Sequence, residues 1–249
     1  MKASALEFRL RLLSNTVVVV LGFLAPWNYL LHLDHTRSLW LPAAIAIAHT
    51  GWLSLTGASN ALLGAAILLV LLAAGLRTWA AAYLSVRVVK DVALQGSTLV
   101  ADGPYRYVRN PLYLGAWLHV FALGLLMPPS GAVFAVLLSG VLQLRLIGAE
   151  EAFLTQTQGE AYLAYLQRVP RLLPAWRPRV AASGTQPAWG SALLGEIYLW
   201  GVVVAFVSVG WRYNALWVTQ GVLIAFGVSL VVGAFLPRPT AAQAQTQAV

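Results

Sequence analysis

Long apolar runs separated by short polar interruptions dominate the chain. Stretches rich in Leu, Val, Ala and Ile occupy about 14–31, 39–55, 61–83, 112–127, 131–148, 191–210 and 215–236. Each approaches or reaches the roughly 20 apolar residues that a helix needs to cross the hydrocarbon core of a bilayer. The pattern predicts an all-α, polytopic integral membrane helical bundle of about seven transmembrane helices. Met127-Pro128-Pro129-Ser130-Gly131 interrupts the fourth and fifth runs, and two prolines followed by Gly cannot continue a helix, so these two runs form a tight hairpin.

Past residue 148 the pattern changes. Glu150, Glu151, Gln156, Gln158, Glu160 and Gln167 alternate with Phe153, Leu154, Tyr162, Leu163, Tyr165 and Leu166 at helical intervals. This predicts an amphipathic helix over 149–168 that continues the fifth span along the cytoplasmic membrane face. Residues 1–12, with Lys2, Glu7, Arg9 and Arg11 among Leu and Phe, read as an interfacial lead-in and not as a cleaved signal peptide. The tail from Thr240 is expected to be disordered. Four segments result: N-terminal transmembrane helices (1–83), a core of polar loop, hairpin and amphipathic helix (84–174), a linker (175–190), and a C-terminal transmembrane hairpin with its tail (191–249).

Composition agrees with the pattern. Of 249 residues 59% are hydrophobic and 10% charged, with a mean hydropathy of +0.74, whereas soluble domains carry about 25% charged residues. The absence of cysteine excludes disulfides, thiolate metal ligands and a catalytic thiol. Four histidines are too scattered to indicate a metal site, and a short interfacial loop explains His32, Asp34 and His35 more simply than metal ligation. The net charge of +8 flanks apolar spans, which points to anionic lipid headgroups as partners and away from nucleic acid. Basic residues concentrate in 84–111 and 145–190, so the positive-inside rule places both segments in the cytoplasm, with the N-terminus outside and the C-terminus inside; Lys2, Arg9 and Arg11 pull against that N-terminal placement.

Candidate chemistry gathers in 97–115. Gly103-Pro104 imposes a turn, and Pro111 suits the first position of a helix. Such a helix start offers N–H groups and a positive dipole to a ligand carboxylate, while Tyr105, Tyr107 and Tyr113 suit a flat ring or a sulfonium. A plainer reading makes the arginines interfacial anchors and the tyrosines part of an aromatic belt. For Glu150-Glu151 alone, simple solvation is the plainer reading. His119 reads equally as a site residue or a packing histidine. Arg77 and Glu196 read as side chains reaching the interface.

Gly103-Pro104-Tyr105, Arg109-Asn110-Pro111-Leu112-Tyr113-Leu114-Gly115, the hairpin, Glu150-Glu151, Gly159, Tyr162, Tyr165 and Arg168-Val169-Pro170-Arg171-Leu172-Leu173-Pro174 together resemble the isoprenylcysteine carboxyl methyltransferase and phospholipid methyltransferase family over about 85–174. The resemblance implies methyl transfer from S-adenosylmethionine to a lipophilic acceptor, such as an isoprenylcysteine-type carboxylate or a phospholipid amine. It implies cofactor contacts from Ser97, Thr98, Leu99, Val100, Tyr105, Asn110, Pro111, Leu112, Tyr113 and Glu150. Arg145 or Arg109 would hold a carboxylate acceptor, and Glu150 or Glu151 would take the proton of an amine. No metal is implied. Neighbouring helical residues point about 100° apart, so the two acids should serve different purposes.

Two departures stand out. Asn110 replaces the usual histidine and removes a titratable group. Leu146 occupies the place of the family's substrate arginine, with Arg145 one position earlier. Other readings are a membrane reductase akin to sterol reductases, which NADPH would protect, and a non-catalytic membrane protein.

Overall fold

The computed structural model describes residues 3–33, 36–93 and 101–235. Among them the regular secondary structure is all helical, without a strand. The helices are α1 (Ala5–Arg9), α2 (Arg11–Leu24), α3 (Pro26–Leu30), α4 (Trp40–His49), α5 (Leu55–Ala93), α6 (Pro111–Gly124), α7 (Pro129–Arg168), α8 (Trp189–Gly195), α9 (Ile197–Val209) and α10 (Ala215–Phe235), with single 3₁₀ turns at Gly103–Arg106 and Gly210–Arg212.

Among the described residues, four segments are long and apolar enough to cross a membrane: Arg11–Leu30, Leu55–Leu84, Pro129–Arg168 and Ala215–Phe235. A fifth results if α8 and α9, bent by 64° at Glu196, count as one broken span. The expected count of exactly seven spans is not confirmed by these lengths. The 10 residues of α4 extend about 15 Å, half of a hydrocarbon core. Both ends of α4 stay at one end of the bundle: the Leu39 amide donates to the Met127 carbonyl, Trp40 Nε1 donates to the Ser59 carbonyl, and a short turn leads into α5. The 14 residues of α6 also fall short of a standard span, although this helix runs between the two ends.

The hairpin of α6 and α7 forms as expected, with Pro128 as N-cap and Pro129 in the first turn of α7. The amphipathic stretch continues α7 without a loop to Arg168, broken only at Gly159, where φ is +57°. The polar segment that was expected to begin at 84 is helical through Ala93.

Leu63, Val70, Leu123, Met127, Val202, Phe206 and Val218 fill the main core, where α2, α5, α6, α7, α9 and α10 meet. A smaller cluster of Ala101, Tyr162, Tyr165 and Val169 lies beneath the loop that precedes α6. Large apolar side chains such as Leu68, Leu72, Leu137, Leu223 and Ile224 face outward, the perimeter expected of helices solvated by lipid. The N-terminus sits at the same end as the basic segments: the Ala3 amide donates to the Arg145 carbonyl. That finding corrects the placement of the N-terminus opposite them.

Candidate active site

The loop before α6 is shaped by its punctuation. Gly103 takes φ +58° and, with Pro104, starts the 3₁₀ turn, while Pro111 opens α6 at a position where its missing N–H costs nothing. Asn110 is the N-cap residue, yet its side chain does not cap the helix. The Asn110 amide instead donates to Glu151 Oε1 at 3.2 Å and to the Arg171 carbonyl at 3.1 Å.

Glu151 is the centre of a lock. Arg171 Nη2 lies 2.8 Å from its Oε2, and Arg109 Nε lies 3.5 Å from its Oε1. Arg109 also donates from Nη1 to the Leu166 carbonyl at 3.3 Å, and its backbone N–H to Pro170 at 2.9 Å. One carboxylate thus ties α7 to the loop and to the segment that leaves α7. Glu150 points elsewhere, as the helical period requires, and accepts a hydrogen bond of 3.0 Å from the Tyr113 hydroxyl in the first turn of α6.

The tyrosines of the loop are also ordered. Tyr165 Oη donates to the Tyr105 carbonyl at 2.8 Å, and the rings of Tyr162 and Tyr165 stand 5.7 Å apart. Tyr105, Asn110, Pro111, Leu112, Tyr113, Arg109, Glu150 and Glu151 are brought to one end of α6 and α7. Ser97, Thr98, Leu99 and Val100 lie outside the described residues.

Arg145 is not part of this group. Its guanidinium grips Glu7 of α1 through Nε to Oε1 at 3.1 Å and Nη2 to Oε2 at 2.8 Å. These bonds, helped by a backbone hydrogen bond from Ser4, hold the Glu7 carboxyl down at about 2.

Asp102, with no assigned role in the sequence reading, anchors the segment that follows α7. Its carboxylate accepts from the Ser183 amide (2.8 Å), the Ser183 hydroxyl (2.5 Å) and the Thr185 amide (2.8 Å). Burial pushes the Asp102 carboxyl upward, but hydrogen bonds from Ser183 and Thr185 outweigh it and hold the group below its ordinary value. With Ala175 and Arg179 donating their amides to Tyr107 and Arg106, and Arg106 Nε donating to Val180, the segment 175–188 becomes a strap across the loop. Nothing in the local pattern announces these partners, which lie some eighty residues away.

Arg77 and Glu196 also correct their reading as separate interface side chains. They form a two-point pair, Nε to Oε2 and Nη2 to Oε1, each at 2.8 Å. Two lone opposite charges inside apolar runs were the available signal, because such groups in a membrane segment seek each other.

The start of α6 and the Glu150–Tyr113 pair are groups of the kind that could hold a ligand with a carboxylate and a positive charge. The Asn110 side chain leaves the start of α6 without a cap, which suits a ligand carboxylate, and Glu150 beside Tyr113 suits a cation. The comparisons with known proteins agree with its place in the chain. The cobalt-zinc-cadmium resistance protein CzcN of Cupriavidus metallidurans is 34% identical over 134 residues, which cover 53% of this chain and 57% of that protein. No solved structure matches the chain. Residues 61–161, which hold most of α5, the loop, the hairpin and both acids, match the model of the phospholipid methyltransferase family, the relationship to which the ordered motifs pointed.

Proposed function

We propose that the chain is a membrane methyltransferase that takes its methyl group from S-adenosylmethionine and passes it to a lipophilic acceptor. One observation carries this reading: within the family-matched segment, the two adjacent acids divide, Glu151 locking the loop and Glu150 presented with Tyr113 at the start of α6, which the Asn110 side chain does not cap. Tyr105, Asn110, Pro111, Leu112, Tyr113 and Glu150, together with Ser97–Val100, would hold the cofactor. S-adenosylmethionine, when bound, supplies a methyl group on a sulfonium, ready for in-line displacement. The protein's part is alignment and exclusion of water.

A carboxylate acceptor of the isoprenylcysteine type needs a guanidinium, and Arg145 offers one only by exchanging Glu7 for the substrate. Arg109 is held by Glu151. An amine acceptor needs a carboxylate near the transferring methyl, which Glu150 provides. The engagement of both arginines favours the second reading, a phospholipid amine delivered from the bilayer. The metal-resistance name belongs to CzcN and is not carried over to this chain.

The test is binding of S-adenosylhomocysteine to the full chain in detergent. Wild type binds, and Glu150→Ala loses about 10- to 100-fold, the scale of a hydrogen bond to a charged group. An unchanged affinity removes Glu150 from the site, and protection by NADPH alone replaces the reading with a reductase. Transfer of labelled methyl to phosphatidylethanolamine, compared with a prenylcysteine analogue, then decides the acceptor.

A further inference from the structure

Arg77 lies on α5, inside one of the long apolar helices. Beyond its two bonds to Glu196, its third nitrogen, Nη1, donates to the Leu112 carbonyl at 3.2 Å. Leu112 is in the first turn of α6, next to Tyr113, whose hydroxyl holds Glu150. Gly115, one turn on, lets α6 close over the Arg77 stem, since a Cβ there would stand 2.5 Å from Arg77 Cγ. Glu196 sits at the 64° break between α8 and α9. A second tie lies two turns deeper, where His119 Nε2 of α6 and Tyr198 Oη of α9 share a hydrogen bond of 3.1 Å and their rings meet edge to face.

We propose that Glu196 and Arg77 are positioning residues for the cofactor site: the break between α8 and α9 exists to aim a carboxylate at Arg77, which in turn holds the Leu112 carbonyl and so sets the first turn of α6 against Glu150. This rests on the methyltransferase reading and gives the C-terminal hairpin, which lies outside the family-matched segment, a part in the site. The arrangement uses all three nitrogens of one guanidinium, spread over a rigid fork. An ammonium is a single point on a flexible stem and cannot bond both Glu196 oxygens and the Leu112 carbonyl together. The pair is partly shielded, with the Glu196 side chain 11% and the Arg77 side chain 27% exposed.

The experiment is a double-mutant cycle on S-adenosylhomocysteine affinity, using full chains in detergent. Arg77→Lys keeps the charge opposite Glu196 but gives up the Leu112 bond, and Glu196→Gln keeps a hydrogen-bonding shape without the charge. Each is expected to weaken binding by about fivefold or more. Combined with Tyr113→Phe, each should give less than the product of the single losses, because both changes release the same turn. Trp200→Phe is the control. It removes the Nε1 bond to Thr78 at 3.0 Å, which fastens α9 to α5 without touching α6, and so lowers thermal stability while leaving affinity within about twofold. Multiplying losses in the cycle, or an equal loss of affinity in Trp200→Phe, overturn the inference and reduce the pair to a packing role. Absence of binding by wild type overturns the methyltransferase reading itself.

Discussion

At the residue scale, the site shows how a side chain's role is set by what it meets and not by its type. Glu150 and Glu151 are chemically identical neighbours. Glu151 meets Asn110, Arg109 and Arg171, while Glu150 meets Tyr113. Asp102 is a third acid with a different task, since its three hydrogen-bonding partner atoms belong to a strap rather than to a ligand site. Its carboxyl titrates lower in the folded chain than in the unfolded one, so the ionised form stabilises the fold. That contribution is fully present above the unfolded value near 4 and is lost as pH falls through the folded value. Asp102→Asn should therefore lower stability by about 1–3 kcal/mol at pH 7. The gap to wild type should shrink as the pH is taken toward 3, read as the difference in thermal midpoint in detergent. A gap that widens on acidification would show that Asp102 is not held as its carboxylate.

At the element scale, packing in this bundle depends on close approach of backbones. Lipid provides little hydrophobic drive between helices, so small residues and short contacts decide which faces meet. The crossing of α2 and α7 is the tightest case. A Cβ at Gly131 would collide with the Gly22 carbonyl oxygen, and one at Gly22 would stand 2.8 Å from Ala135 Cβ. Gly131→Val should part the two helices and lower the thermal midpoint strongly, beyond the about 1–3 kcal/mol typical of overpacking, because the clash is with backbone. Gly64→Ala on α5, which faces open space, should leave the midpoint unchanged or slightly raised.

Elements of this kind were legible in the sequence where they rest on local chemistry. The Pro-Pro-Ser-Gly break, the helix start at Pro111 and the amphipathic continuation of α7 all follow from nearby residues. What stayed hidden depends on partners far along the chain. The failure of α4 to cross is set by Leu39 and Trp40 bonding to Met127 and Ser59, and the strap is set by Asp102 bonding to Ser183 and Thr185. Arg145 looked available because Glu7 lies 138 positions away. The candidate site was legible through the order of its motifs, whereas the split between its two acids required the geometry.

At the scale of the whole molecule, the non-crossing α4 changes the topology. With seven crossings the two chain termini would lie on opposite sides. With α4 held at one end, α1 returns to the end that carries the loop before α6 and the strap, where Glu7 meets Arg145 and the Ala188 amide meets the Ala82 carbonyl. Arg9 and Arg11 then join the other basic segments, and the conflict they made within the positive-inside pattern disappears. The turn before α5 belongs to the other end, near Trp40, Asn60 and Tyr213. The chain has no cysteine, so single cysteines report topology without background. Ser4→Cys and Ser183→Cys should react with a membrane-impermeant maleimide from the same side of sealed vesicles. Ser54→Cys, in the exposed turn between α4 and α5, should react only from the opposite side. Labelling of Ser4→Cys and Ser183→Cys from opposite sides would restore a crossing to α4 and remove the N-terminal helix from the neighbourhood of the site. Agreement would place Glu7, Arg145, the strap and both acids at one membrane face, so that a cofactor from water and an acceptor from lipid meet where α6 begins.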